Sequence, residues 1–303
     1  MVGRLIALLA ALLAPVGLHA AILDETWIDP ARGGRSVPVR LYLPQEPGPH
    51  PVVIFTPGLG QGRDSAAYLG SFWSAHGYLA LFLQHPGTDS DLTPEQQKRA
   101  GLDGRALAAR YLDLPFAITT LLKRANQPGA LEGRVMPARL AVAGHSLGAV
   151  GAAIAVGRKT SAGNNLADPR LRAVILMSPT PGPGDAAANF SAVNVPALHL
   201  TGTEDRDESV PKEVSQRFKP FALIKARPQA LVVFQGGDHL VFSATPAEVA
   251  ANPSYRPIQA SVQEISTKFL DAVLKDDADA RAWMLEGGLA NTLGRRARVE
   301  VAR

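Results

Sequence analysis

Leu140-Ala141-Val142-Ala143-Gly144-His145-Ser146-Leu147-Gly148-Ala149-Val150 is the stretch that decides how the rest of the chain is read. Its first four residues fit a short buried strand, and the Ala-rich run that continues to about residue 156 fits a helix. Between them stands Gly144-His145-Ser146-Leu147-Gly148, a G-x-S-x-G pentapeptide. On a sharp strand-to-helix turn this pattern thrusts the serine hydroxyl outward, and the flanking glycines tolerate the close backbone approach that the turn creates. The helix that begins there aims N–H groups at developing negative charge. Ser146 is therefore the candidate nucleophile, and the N–H of Leu147 the first candidate oxyanion donor.

Outward from this turn, short β-branched runs alternate with longer helical patterns. Strands are predicted over 36–43, 51–55, 78–83, 140–143, 173–177, 197–200 and 230–234, the last of the series. Helices are predicted over 64–76, 103–124, 258–274 and 278–285, with Pro115 breaking or starting the second of them. That order predicts an α/β fold with a mostly parallel central sheet of about eight strands flanked by helices. No repeat or linker divides the chain, so residues 21–303 are expected to form a single domain. The Pro/Gly-rich loop around 179–184 is expected at the rim of the site, and loops over 88–107 and 179–190 are expected among the walls of the acyl pocket.

A serine hydroxyl is a weak nucleophile until a positioned base takes its proton, and on this type of turn the partners follow in the order serine, acid, histidine. His199 and His239 are the histidines beyond Ser146. His199 falls inside the strand 197–200 and reads as a packed core histidine. His239 follows the last predicted strand through Gln235-Gly236-Gly237-Asp238, at a C-terminal strand end where ligands gather in open α/β sheets, and is the candidate base. The acid must hold the imidazole in its productive tautomer. Thr201-Gly202-Thr203-Glu204-Asp205-Arg206-Asp207-Glu208 offers carboxylates directly after a strand, with Asp205 the candidate and Asp207 second. Thr56-Pro57-Gly58-Leu59-Gly60 supplies the second oxyanion donor; Pro57 has no N–H, which leaves Leu59.

The 303 residues are 46% hydrophobic and 19% charged, enough apolar material for a packed core. A net charge of +4 invites an acidic partner, but the basic residues are scattered except in the tail 295–303, which reads as solvated. No nucleic-acid partner is expected. The absence of cysteine excludes disulfides and thiolate catalysis. Residues 1–20, with Arg4, an apolar run over 5–13, Pro15 and the small-residue context Leu18-His19-Ala20, read as a signal peptide too short to span a membrane. The mature chain is expected to be exported, periplasmic or secreted, with no stable membrane insertion.

With these residues in place, the chain resembles the α/β-hydrolase group that includes dienelactone-hydrolase-like proteins and the platelet-activating-factor acetylhydrolases. The matching segments are PVVIFTPGLG, SAHGYLALFLQHPG, LAVAGHSLGA, LHLTGTEDRDESVP and VFQGGDHLVF, spread from about residue 35 to residue 242. The resemblance implies a Ser-Asp-His esterase with no cofactor. The acyl-enzyme chemistry makes a small-molecule or lipid ester the expected substrate, short-acyl esters among them. One departure is Pro57, where that group usually carries a histidine. Dienelactone hydrolases proper use a cysteine nucleophile, so their own activity is not expected here.

Competing readings fare worse. Gly58-Leu59-Gly60-Gln61-Gly62 follows a strand as a dinucleotide fingerprint would, but Arg63 occupies the place of the third glycine and the next strand ends in Gln84-His85 rather than an acid. No H-E-x-x-H pattern favours metal hydrolysis; His85 and His145 read as polar loop or supporting residues. Thioester or peptide cleavage uses the same acyl-enzyme chemistry, and a non-catalytic binding module on the same fold is the remaining alternative.

Overall fold

The computed structural model describes residues 21–88, 93–182, 184–206 and 213–303; the predicted leader 1–20 and Asp207 lie outside them. The first half of the chain runs β1 (Ala21–Asp29), β2 (Arg35–Leu43), β3 (His50–Thr56), α1 (Ala67–Ala75), β4 (Leu79–Leu83), α2 (Pro94–Leu102), α3 (Gly104–Arg124), β5 (Val135–His145) and α4 (Leu147–Ala155). The second half runs β6 (Leu171–Met177), α5 (Ala186–Phe190), β7 (Ala197–Glu204), α6 (Lys219–Leu223), β8 (Gln229–Asp238), α7 (Pro246–Ala251), α8 (Tyr255–Leu274), α9 (Ala278–Leu285), α10 (Gly288–Leu293) and β9 (Ala297–Ala302).

The strands form one sheet in the order β1-β2-β4-β3-β5-β6-β7-β8-β9. From β4 to β8 every pairing is parallel, whereas β1, β2 and β9 pair antiparallel at the two edges. The central strands are apolar without alternation because helices cover both faces. On one face Val53 and Phe55 of β3 pack with Leu69 and Trp73 of α1 and with Val262 and Phe269 of α8. On the other, Val52 and Ile54 pack with Leu114, Ile118 and Leu121 of α3 and with Ala149 and Ala152 of α4. The parallel strands all deliver their C-terminal ends to one rim of the sheet, and the sequence elements singled out above gather there.

The sheet has nine strands among the described residues, where about eight were expected. β1 forms a hairpin with β2, in register from Ala21↔Leu43 to Asp29↔Arg35, and its mixed polar and apolar sequence hides it because, as the edge strand, it buries little besides Trp27 and Asp29. The basic tail is not a solvated extension: it contains β9, which pairs with β8 from Gln229↔Ala302 to Phe234↔Ala297, so β8 is not the last strand. An open β8 edge would leave its N–H and C=O groups without partners, and Val299 and Val301 suit a strand that covers it. Its charges stay at the surface, with Arg298 paired to Glu300 at 3.1 Å and laid on the Phe218 ring.

Pro115 neither starts nor ends a helix but lies inside α3. The buried face made by Leu114, Ala117, Ile118 and Leu121 holds the helix together through the missing N–H. The rim segment after β4 is partly helical as well: α2 begins on a capping box in which Thr93 and Gln96 cap each other's backbone. No helix among the described residues is long and apolar enough to cross a membrane.

Candidate active site

Ser146 links the end of β5 to the start of α4 with φ 54° and ψ −119°, a backbone conformation that an L-residue adopts only when its surroundings enforce it. The enforcement is steric and hydrogen-bonded. A side chain at Gly144 would strike the backbone of Gly148 and Ala149, and one at Gly148 would strike the carbonyls of Thr56 and Pro57. The Ser146 N–H donates to the Met177 carbonyl at 2.9 Å, which ties the turn to the end of β6.

Ser146 Oγ stands 3.0 Å from Nε2 of His239, and Nδ1 of His239 stands 2.7 Å from Oδ1 of Asp205. The candidate nucleophile, base and acid thus come together from the ends of β5, β8 and β7. Asp205 is buried, and its second oxygen accepts the Thr201 hydroxyl at 2.6 Å. Burial pushes the Asp205 carboxyl up, but the hydrogen bond from His239, the Arg217 guanidinium and the Thr201 hydroxyl outweigh it and hold the group at about 2. A carboxylate there makes Nδ1 of His239 the protonated nitrogen and leaves the Nε2 lone pair facing Ser146.

Arg217 is a residue that sequence reading missed. It comes from the 3₁₀ segment Val214–Phe218, which carries no motif, and it is buried. Its Nε lies 3.4 Å from Oδ1 of Asp205 and its Nη1 donates to the Ser178 carbonyl at 2.8 Å. Its Nη2 also comes within 3.3 Å of His239 Nδ1; with that nitrogen protonated, two donors face each other and the approach is a contact rather than a hydrogen bond.

The loop after β3 presents its N–H groups selectively. Pro57 has none, and the Gly58 N–H donates to Oε1 of Gln61 at 3.0 Å. The N–H of Leu59 has no such partner among the described residues, nor does that of Leu147 at the first position of α4, where helical N–H groups are orphaned. Both sit beside Ser146. Arg110 of α3 holds the loop from behind, donating to the Pro57 carbonyl at 2.6 Å and the Gly58 carbonyl at 3.4 Å. Thr56 is fixed in turn by His85, which also bonds Asp113 at 3.0 Å; Asp113 is paired with Arg35. Burial, followed by the nearby charge of Arg110, lowers His85 to about 4 and keeps it neutral, so Nδ1–H donates to Asp113 and Nε2 accepts from Thr56.

His145 plays a supporting part on the other side. Its Nε2–H donates to the His239 carbonyl at 2.8 Å, which steadies the backbone that carries the candidate base. Burial and then the proximity of His239 push its imidazole down to about 3. His199 is fully buried in β7 and bonded to Gln229 at 2.9 Å, away from the other site residues.

A cavity of about 320 Å³ opens beside Ser146, with Leu59 and Leu147 at its mouth and Val150, Ile154, Leu107 and Tyr111 along its walls. Thr180 and Gly182 from the loop after β6 close one side, so that loop does border the site. The walls come from α3 and α4, whose periodicity marked them as helices without showing which residues face substrate. Among curated proteins no match was found. The model of the PET hydrolase-like family, PETase, matches residues 38–254, and the chain belongs to that family of α/β-hydrolase serine esterases.

Proposed function

We propose that this chain hydrolyses carboxylic esters through an acyl-enzyme intermediate, with Ser146 as nucleophile, His239 as general base and acid, Asp205 as orienting carboxylate and the N–H groups of Leu59 and Leu147 as the oxyanion hole. The observation that carries the reading is the continuous chain of contacts from Ser146 Oγ to His239 Nε2 at 3.0 Å and from His239 Nδ1 to Asp205 at 2.7 Å. His239 takes the hydroxyl proton as Oγ attacks the ester carbonyl. The oxyanion is held by the two N–H donors, which stabilise its charge as it develops. Collapse of the tetrahedral intermediate expels the alcohol, which leaves with the proton from Nε2. Water, deprotonated by the same nitrogen, then releases the acid and restores Ser146.

Small-molecule and lipid-derived esters with short acyl groups fit the cavity, whose walls are apolar apart from a few polar groups. No nucleic-acid partner belongs to this reading. It includes export, with residues 1–20 removed so that the mature chain starts at Ala21, the first residue of β1. Amino-terminal sequencing of the protein recovered outside the cytoplasm tests that part.

The chemistry is tested with p-nitrophenyl esters from acetate to palmitate, using the purified protein and its Ser146→Ala variant in parallel. Turnover that disappears in the variant is the expected result. A variant that retains the full rate removes Ser146 from the mechanism, and no turnover on any ester moves the reading to thioesters, peptides or a binding role.

A further inference from the structure

Three arginines among the described residues are buried, and one of them keeps a nitrogen without a partner. Arg217 faces Asp205, and Arg110 holds two carbonyls. Arg158, three residues past the end of α4, is 4% exposed and has no carboxylate partner among the described residues. Its guanidinium lies over the Phe190 ring at 5.4 Å, and Nη2 donates to the Pro181 carbonyl at 3.0 Å. Nε is buried with no acceptor among the described residues. Burial pushes the guanidinium's pKa down, yet arginine remains protonated at neutral pH. A buried cation without a counter-ion is costly, because nothing replaces the water it has lost.

Arg158 lines the same cavity as Ser146. Between the two lie Val150 and Ile154, four residues apart on one face of α4, which give the cavity an apolar floor. At ~1.5 Å of rise per residue the helix separates the reacting end from the charged end by on the order of 10 Å. Gly182, with φ +72°, belongs to the charged end: any side chain there would strike Nη2 of Arg158. The neighbouring Tyr111 phenol, its pKa pushed up further by burial, adds a neutral donor and no competing negative charge.

We propose that Arg158 is a carboxylate-binding site at the far end of the acyl pocket, and that the preferred substrates are monoesters of dicarboxylic acids. Their ester carbonyl sits at Ser146, their straight carbon chain lies along α4, and their free carboxylate meets the guanidinium. A carboxylate fits because the planar guanidinium offers parallel N–H donors matched to its two oxygens. This assignment rests on the ester-hydrolase reading of Ser146.

The test compares p-nitrophenyl esters of succinic, adipic, suberic and sebacic acids, each with its far carboxyl free or capped as a methyl ester. For at least one chain length, kcat/KM for the free acid should exceed that of its capped partner at least tenfold. That ratio should fall to about one in Arg158→Gln and be partly kept in Arg158→Lys. A wild-type ratio at or below one at every length, with p-nitrophenyl acetate still hydrolysed, overturns the carboxylate site and leaves the esterase intact. Calorimetry with monomethyl suberate and the Ser146→Ala variant reads the site without catalysis. Binding that Arg158→Gln abolishes supports it; absence of binding to Ser146→Ala counts against it, whether or not any ester is turned over.

Discussion

Adding one methyl group at Gly148 should separate the two halves of the oxyanion site. The Cβ of Gly148→Ala would stand 2.5 Å from the Pro57 carbonyl oxygen and closer still to that of Thr56, whereas ordinary contact begins at 3.4 Å. Both neighbours are backbone, so no side-chain rotation relieves the clash, and α4 and the β3 loop must part by about 1 Å. Overpacking of this kind costs ~1–3 kcal/mol, which lowers the melting midpoint of a chain this size by roughly 2–5 °C. The same displacement moves the Leu59 N–H relative to that of Leu147. A misplacement of ~1 Å costs about 10²-fold in rate, near the low end of the loss on removing one oxyanion donor. Initial rates on p-nitrophenyl acetate, read beside a thermal melt, should show kcat/KM down by about 10² in a folded protein. If the alanine variant melts and turns over like the wild type, the contact between Gly148 and the loop does not set the donors, and the reasoning fails.

Asp205→Asn should lower kcat by ~10⁴, since the amide NH2 can donate to Nδ1 of His239 and hold the wrong tautomer; a loss confined to Asp207→Asn would transfer the acid's role there. Stability should depend on pH through the buried histidines. Burial, the largest cause in each case, lowers His85 and His199 to about 4 and His145 to about 3. Between ~6.5 and ~4 the unfolded chain therefore binds more protons than the native one, so stability falls as pH falls through that window. The unfolding free energy from urea titrations should drop across it by as much as ~4 kcal/mol per pH unit for three protons, and His199→Gln should remove about a third of that slope. A flat profile from pH 6.5 to 4 would contradict neutral burial of these rings.

Much of this site is legible in local sequence because its chemistry depends on local geometry. Gly144 and Gly148 announce a turn that nothing but glycine fits, Pro57 removes one N–H by covalent structure, and the order Ser146, Asp205, His239 follows from strands that end on one rim. The alternation of apolar runs likewise marks the parallel strands, whose burial on both faces leaves no polar residues to confuse the pattern. The edges were another matter: β1 and β9 are half-exposed, so their polar residues resemble those of a loop or a solvated tail, and only pairing with β2 and β8 makes them strands. Arg217, Arg110 and Arg158 carry no motif either. An arginine's part depends on what surrounds its guanidinium, several ångströms from its own backbone. The tertiary packing alone put one of them against Asp205, one behind the Pro57 and Gly58 carbonyls, and one without a counter-ion at the end of the cavity.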